Sequence, residues 1–271
     1  MAEKYLFIDG NYLSTQFAKQ MHAFYNHAPP IMFQELGRIL KVNRCYYYDA
    51  IDYSNGANET EAEQDDRIAQ RESFHDWLAE LRGFHVRHGH VRRSKKKSRE
   101  QKAVDVRLAV DALEHAARGN IEKAVFLTGD LDFEPLLTSL ERLGVRTKLL
   151  YVRSSTSPEL IRAADESQAL TLSDFCSWSP ASFRDSHKPV SYSVGLPDEI
   201  PEVLVSRRGR WGTRELALYD MRGAGGRIFV KARAEVREPS ISVHHADLGK
   251  VAQAFELAYG PIQWNQDQAP E

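Results

Sequence analysis

Apolar and polar positions along this chain of 271 residues follow two different grammars. Up to about residue 175, short apolar runs alternate with longer stretches in which apolar residues return every three or four positions. The short runs at 4–8, 44–50, 84–91, 124–127 and 145–152 are rich in β-branched and aromatic residues and predict strands. The periodic stretches between them predict helices at 11–26, 31–41, 61–82, 102–118 and 133–143, with a short one at 159–164. Pro29-Pro30 ends the first helical pattern, and Gly144 caps the fifth. Residues 169–178 carry no clear period and are assigned no type.

Strands alternating with helices predict a parallel sheet with right-handed crossovers, a three-layer α/β/α domain over residues 1–178. Laying strands two and three on one side of strand one, and strands four and five on the other, makes strands one and four neighbours. The reversal point then falls between Asp9 and Asp130, where such sheets bind ligands.

Past residue 178 the pattern changes. Residues 179–198 hold Ser, Pro and Gly with few apolar positions, and predict a linker. Residues 199–271 predict a small α+β domain: a hairpin of strands 214–221 and 227–236, a strand at 240–243 and an amphipathic helix over 247–259. In the second hairpin strand Ile228, Val230, Ala232, Ala234 and Val236 share one side; Arg227, Phe229, Lys231 and Arg233 share the other. Residues 207–237 are mostly basic among the charged positions, with Trp211, Tyr219 and Phe229 interspersed. Charge for a backbone and rings for bases suit single-stranded nucleic acid. The pattern resembles small single-strand binders of the Whirly and transcriptional-coactivator kind, which implies nucleic-acid binding and a homodimer. A solvated hairpin packed on the first domain fits the residues equally well.

Composition adds little at the scale of the whole chain. Lys plus Arg (36) nearly balance Asp plus Glu (38), so net charge names no partner. Locally, Arg92, Arg93, Lys95, Lys96, Lys97, Arg99 and Lys102 form a basic loop between strand three and the next helix. No apolar run approaches the roughly 20 residues that cross a bilayer, and no basic-then-apolar leader opens the chain. The cysteines, Cys45 and Cys176, lack metal-like spacing. A reduced, cytoplasmic protein with no membrane partner is the expectation.

The chemistry lies at two strand ends. Strand one runs into Asp9-Gly10-Asn11, and strand four into Thr128-Gly129-Asp130-Leu131-Asp132. Asp105 is expected in the first turn of its helix, where the helix dipole favours a carboxylate. Asp132 alone reads equally as a cap, and Asp105 alone reads better as a solvated first-turn side chain than as a ligand. The joint position of these acids at the ligand edge points instead to carboxylates sharing magnesium or manganese, the means of activating water and neutralising phosphate in phosphodiester hydrolysis. The basic loop beside them would grip phosphates without sequence choice. Asp49 and Asp52 follow strand two and reach the same edge, though turn formation explains them as well. His85, His88 and His90 lack the spacing and fourth ligand of a zinc site.

Three motifs in this order, Phe-Ile-Asp9-Gly10-Asn11, then Lys102-Ala-Val-Asp105 through Asp111, then Thr128-Gly-Asp130-Leu-Asp132-Phe133 with Leu-Gly144-Val, resemble the NYN domain family of PIN-like nucleases, including the LabA-type bacterial proteins. The resemblance covers about residues 4–175. It implies a PIN-like fold and Mg2+- or Mn2+-dependent ribonuclease activity. It also implies Asp9, Asp105, Asp130 and Asp132 as metal-binding catalytic acids, Asn11 as their polar companion, and Lys102 at the scissile phosphate. Thr128 stands where the family often has Ser and keeps the hydroxyl. Asp111 is read as structural, within reach of Arg107. The alternative is an RNA-binding regulatory protein that keeps the fold without turnover.

Overall fold

The structure, a computed structural model, describes residues 3–53, 59–88, 98–195, 204–230 and 240–265. The chain packs as two compact units. Met1–Gln16, Phe33–Tyr151 and Ser155–Gln168 form the first; Phe17–Met32, Val152–Ser154 and Ala169–Glu271 form the second.

The strands of the first unit are β1 (Glu3–Asp9), β2 (Arg44–Asp49), β3 (Phe84–His88), β4 (Ile121–Leu127), β5 (Arg146–Tyr151) and β6 (Glu166–Ala169). They form one sheet in the order β3-β2-β1-β4-β5-β6. β1 to β5 pair parallel. The expected reversal between β1 and β4 is therefore present. The edge strand β6 was not expected, because its four residues, Glu166 to Ala169, are too short and polar to show a period. Helices α1 (Gly10–Tyr25), α2 (Phe33–Leu40), α3 (Glu61–Glu80), α4 (Ser98–Ala117), α5 (Glu134–Arg142) and α6 (Pro158–Ala163) make the crossovers.

Both faces of this sheet are covered, so central strands are apolar on both sides. Leu6, Phe7, Ile8, Phe126 and Leu127 are wholly buried. The ring of Phe7 stacks on Tyr46 and Phe126 at 5.5 and 5.2 Å between centroids. On that face α4 sets His115 against Tyr5 and Tyr46. On the other, Tyr47 meets Phe33 of α2 and Phe74 of α3. The three consecutive tyrosines of β2 thus divide between two layers, as strand alternation requires.

The second unit contains α7 (Leu172–Ser177), α8 (Ala181–Ser186), β7 (Ser191–Gly195), β8 (Val205–Trp211), β9 (Arg214–Asp220), β10 (Gly226–Val230), β11 (Ser240–His245), α9 (Leu248–Tyr259) and β12 (Gln263–Trp264). Its sheet has the order β12-β8-β9-β10-β11-β7. The expected hairpin is β9 paired with β10. The expected apolar side of the last helix is also present, with Val251, Phe255 and Ala258 buried and Ala254 beside them. Lys231, Ala232, Arg233, Ala234 and Val236 lie outside the described residues.

The expected linker is not one. α8 buries Phe183, and β7 pairs antiparallel with β11 from Ser191↔His244 to Gly195↔Ser240. The serines of β7 alternate with Tyr192 and Val194, a period-two pattern that its composition disguised. Ser193 and Ser242 share a hydroxyl hydrogen bond of 2.5 Å across that pair, and the Tyr192 hydroxyl donates to the Ala254 carbonyl. Residues 17–25 of α1 also pack inside this unit. Phe17 meets Phe175 edge-on at 5.7 Å. Lys250 and Gln253 of α9 donate to the carbonyls of Phe24 and Ala23, two acceptors that a helix end leaves without partners of its own.

Candidate active site

The site forms where β1 and β4 end side by side. Asp9 is the last residue of β1, and Gly10 turns the chain at once into α1. A Cβ on Gly10 would stand 2.5 Å from Cζ of Tyr47 and 2.6 Å from its hydroxyl, so no larger residue fits. The Asp9 carboxylate then accepts from the backbone N–H of Tyr12 (3.0 Å) and from the Thr128 hydroxyl (3.2 Å). The same hydroxyl accepts from the N–H of Asp130 at 3.2 Å. Thr128 therefore ties the two strand ends together through one oxygen.

Beyond Gly129 the chain makes a single 3-10 turn over Leu131–Phe133, and the Asp130 side chain caps it by accepting from the N–H of Asp132 at 3.0 Å. The capping role thus belongs to Asp130, and the Asp132 carboxylate is exposed. Gly129 is confined: a Cβ there would collide with the Tyr12 ring and stand 2.7 Å from the Thr156 hydroxyl. Tyr12 also shares hydrogen bonds with Ser155 (3.2 Å) and Thr156 (3.1 Å). Tyr12, Ser155 and Thr156 escaped the sequence reading, since no local pattern couples the start of α1 to a turn after β5.

Asp105 reaches the cluster from α4. It does not lie in the first turn, because α4 begins at Ser98 and Asp105 sits about two turns in. The helix dipole has faded there. Burial raises its carboxyl, and the charges of Asp9, Asp130 and Asp132 raise it further, to about 7. Asp9 is pushed up to about 6, chiefly by burial and less by Asp130 and Asp49, against the opposing hydrogen bonds from Tyr12 and Thr128. Four acids far apart in sequence thus act on one another in space.

Such a set suits a hard divalent cation: its donors are all oxygens, and its mutual repulsion is what a cation relieves. Among the described residues no three His, Cys, Asp or Glu side chains stand close enough to hold one ion directly. A cation of the magnesium kind keeps several of its waters, so the fit requires only part of the set at first contact. Asn11 opens α1 beside Asp9, with its side chain exposed.

The other expected residues fare differently. Arg92, Arg93, Lys95, Lys96 and Lys97 lie outside the described residues, as does His90. Arg99 and Lys102 belong to the first turns of α4, and their side chains are likewise outside the description. Asp111 is structural, but its partners are the Tyr48 hydroxyl at 3.0 Å and Arg87 at 3.3 Å, while Arg107 donates to the His88 carbonyl. Asp49 is buried and committed to Arg71 and His75.

An α/β domain with an acidic cluster at its sheet reversal defines the class. The NYN domain model matches residues 5–171, and the chain belongs to the NYN domain family, within the PIN-like nuclease superfamily. A crystal structure of a Vibrio parahaemolyticus protein of unknown function is similar, at 19% identity over 62% of this chain and 93% of that one, with a TM-score of 0.43. No curated protein matches the chain. Among the described residues no helix is long and apolar enough to cross a membrane.

Proposed function

We propose that this protein is a metal-dependent ribonuclease. The observation that carries the reading is the convergence of Asp9, Asp130 and Asp132 on Asp105, whose carboxyl burial and those three charges push up to about 7. Clustered acids of that kind disfavour folding unless a function requires them. Nuclease chemistry is the class the family supplies.

Asp9, Asp105, Asp130 and Asp132 would hold magnesium or manganese. When bound, the ion supplies charge neutralisation at the phosphate and a water acidic enough to attack near neutral pH. The chain's own residues do the rest. Tyr12 and Thr128 fix the Asp9 carboxylate so that it need not reorganise on binding. Asp105, poised near neutrality, can hold or release a proton at its carboxylate. Asn11 offers an amide to a phosphate oxygen or a water. Arg99, Lys102 and the basic loop supply charge for the RNA backbone in this proposal.

The test is cleavage of single-stranded and structured RNA with and without EDTA, beside Asp9→Asn and Asp130→Asn. Loss of activity by roughly a hundredfold or more is expected in each arm. Cleavage surviving both substitutions sinks the reading. Salt-sensitive RNA binding without any cleavage, unaffected by the Asp changes, would mark the protein as a binding module that keeps the fold.

A further inference from the structure

A second group of charged side chains stands beside the acid cluster, on the other layer of the sheet. Asp49 closes β2 and is 4% exposed as a residue. Its Oδ2 takes Arg71 of α3 at 2.5 Å and His75 Nε2 at 2.7 Å. His75 is 1% exposed, and its Nδ1 is buried with no hydrogen-bond partner among the described residues. Its ring lies against that of His88 at 4.7 Å between centroids. The Arg71 charge also acts on the Tyr47 hydroxyl, and its guanidinium lies over the Phe74 ring at 5.4 Å. The proposed nuclease chemistry uses none of these side chains.

The group is close to the reacting edge. Tyr47 is the residue on which Gly10 closes down, and Gly10 follows Asp9. Tyr48, between Tyr47 and Asp49, is the register partner of Asp9. Charge on Asp49 reaches Asp9, and charge on Asp9 reaches Tyr47. The Arg71 guanidinium therefore sits on the β2 flank of the carboxylates.

A purely structural ion pair is the simpler account, and two features argue for more. Asp49 already has a buried partner in His75, so Arg71 is not required merely to give it a hydrogen bond. The Arg71 side chain is also 34% exposed, and its contact to Asp49 runs through one Nη and occupies only part of a fork with five N–H donors. Held on one side by a buried carboxylate and lying over the Phe74 ring, the fork is pre-organised, as a phosphate contact should be. A nucleic acid laid across the end of the sheet passes from the α4 layer, which carries Asp105, to the α3 layer, which carries Arg71.

We propose that Arg71 is the guanidinium that grips a backbone phosphate of single-stranded RNA beside the acid cluster, with Asp49 and His75 as the positioning residues that aim it. This rests on reading the cluster as a nucleic-acid site. The contact carries no base information and adds to the salt dependence of binding. Asp49 is thereby assigned to holding Arg71 and not to the metal set.

The experiment measures binding of a short fluorescein-labelled single-stranded oligoribonucleotide to the full chain by anisotropy across a salt series. Calcium replaces magnesium so that binding is read apart from turnover. Arg71→Ala is expected to bind roughly tenfold more weakly, with the log–log salt slope smaller by about 0.7, one single-strand phosphate contact. Arg71→Lys keeps the slope and loses a few-fold in affinity, because an ammonium lacks the fork. Asp49→Asn, folded as judged by its melting temperature, falls between. A folded Arg71→Ala with wild-type affinity and slope overturns the proposal, as does a wild-type protein that binds no RNA. Should Arg71→Ala not fold, Arg71→Lys decides: wild-type affinity there overturns the proposal, and a few-fold loss with the slope intact supports it. If the wild type binds RNA and cuts none while Arg71→Ala still weakens binding, the Arg71 contact stands and the ribonuclease reading falls.

Discussion

Asp105 shows at the scale of one residue what a cluster of acids costs the fold. Its folded carboxyl stands near 7 and that of Asp9 near 6, both above their ordinary value of 3.8. Between about 4 and 7 the folded state therefore binds more protons than the unfolded chain, and stability falls as pH rises through that window. The favourable contribution is fully present below the unfolded value and is lost above the folded one. Asp105→Asn should accordingly raise the melting temperature of divalent-free protein at pH 8 by a few degrees and change it little at pH 4. A scan showing no difference at pH 8 would mean that the acids do not repel. Magnesium or manganese should raise the wild-type melting temperature at pH 8, with a smaller gain below pH 6 as protons compete. Thr128 supplies a second test. Its hydroxyl serves Asp9 and Asp130 together, so Thr128→Val should lose ~1–3 kcal/mol in urea unfolding. Thr128→Ser, which restores the oxygen, should recover most of that loss.

Among the elements, the join between β1 and α1 is the most constrained. Gly10→Ala places a methyl 2.5 Å from the Tyr47 ring and should destabilise by ~1–3 kcal/mol, the range for overpacking. A smaller residue at Tyr47 in the same chain should recover part of it; wild-type stability in Gly10→Ala alone would deny the close approach. Most elements were legible. Strands β1 to β5 and helices α1 to α5 carry apolar runs or a helical period long enough to stand out. The elements that were missed, β6, β7, β8, β12, α7 and α8, are short or place Ser and Arg on one side, so their periods did not stand out. The position of Asp105 within α4 was mistaken for a related reason. The turns that precede it are basic and polar, and only hydrogen bonding, not hydrophobic periodicity, extends the helix back to Ser98.

For the whole molecule, the second unit makes use of sequence from both ends of the chain. Residues 17–25 pack with residues 169–271, and Phe24 is 2% exposed. His245 meets Phe24 edge-on at 5.4 Å, and Lys250 lies over its ring at 5.0 Å. A chain ending at Trp178 strips that cover and leaves the Ala23 and Phe24 carbonyls without Gln253 and Lys250. Such a truncation should aggregate or melt at markedly lower temperature in size-exclusion and thermal-scan experiments, even though it contains the whole family match. A monodisperse fragment with wild-type melting behaviour would make residues 1–178 an independent domain after all.

Sequence by itself determined the strand–helix alternation and the family, and it carries the four acids as motif residues. Each of these is written locally, in apolar period and in short motifs at strand ends. Only the tertiary structure decided that Thr128 bridges the two strand ends, that Asp49 is held by Arg71 and His75, and that residues 17–25 share a core with α9. Those pairings join side chains that are 22 to more than 200 positions apart. No periodicity encodes such distances; they exist only once the sheet has fixed which strand ends are neighbours.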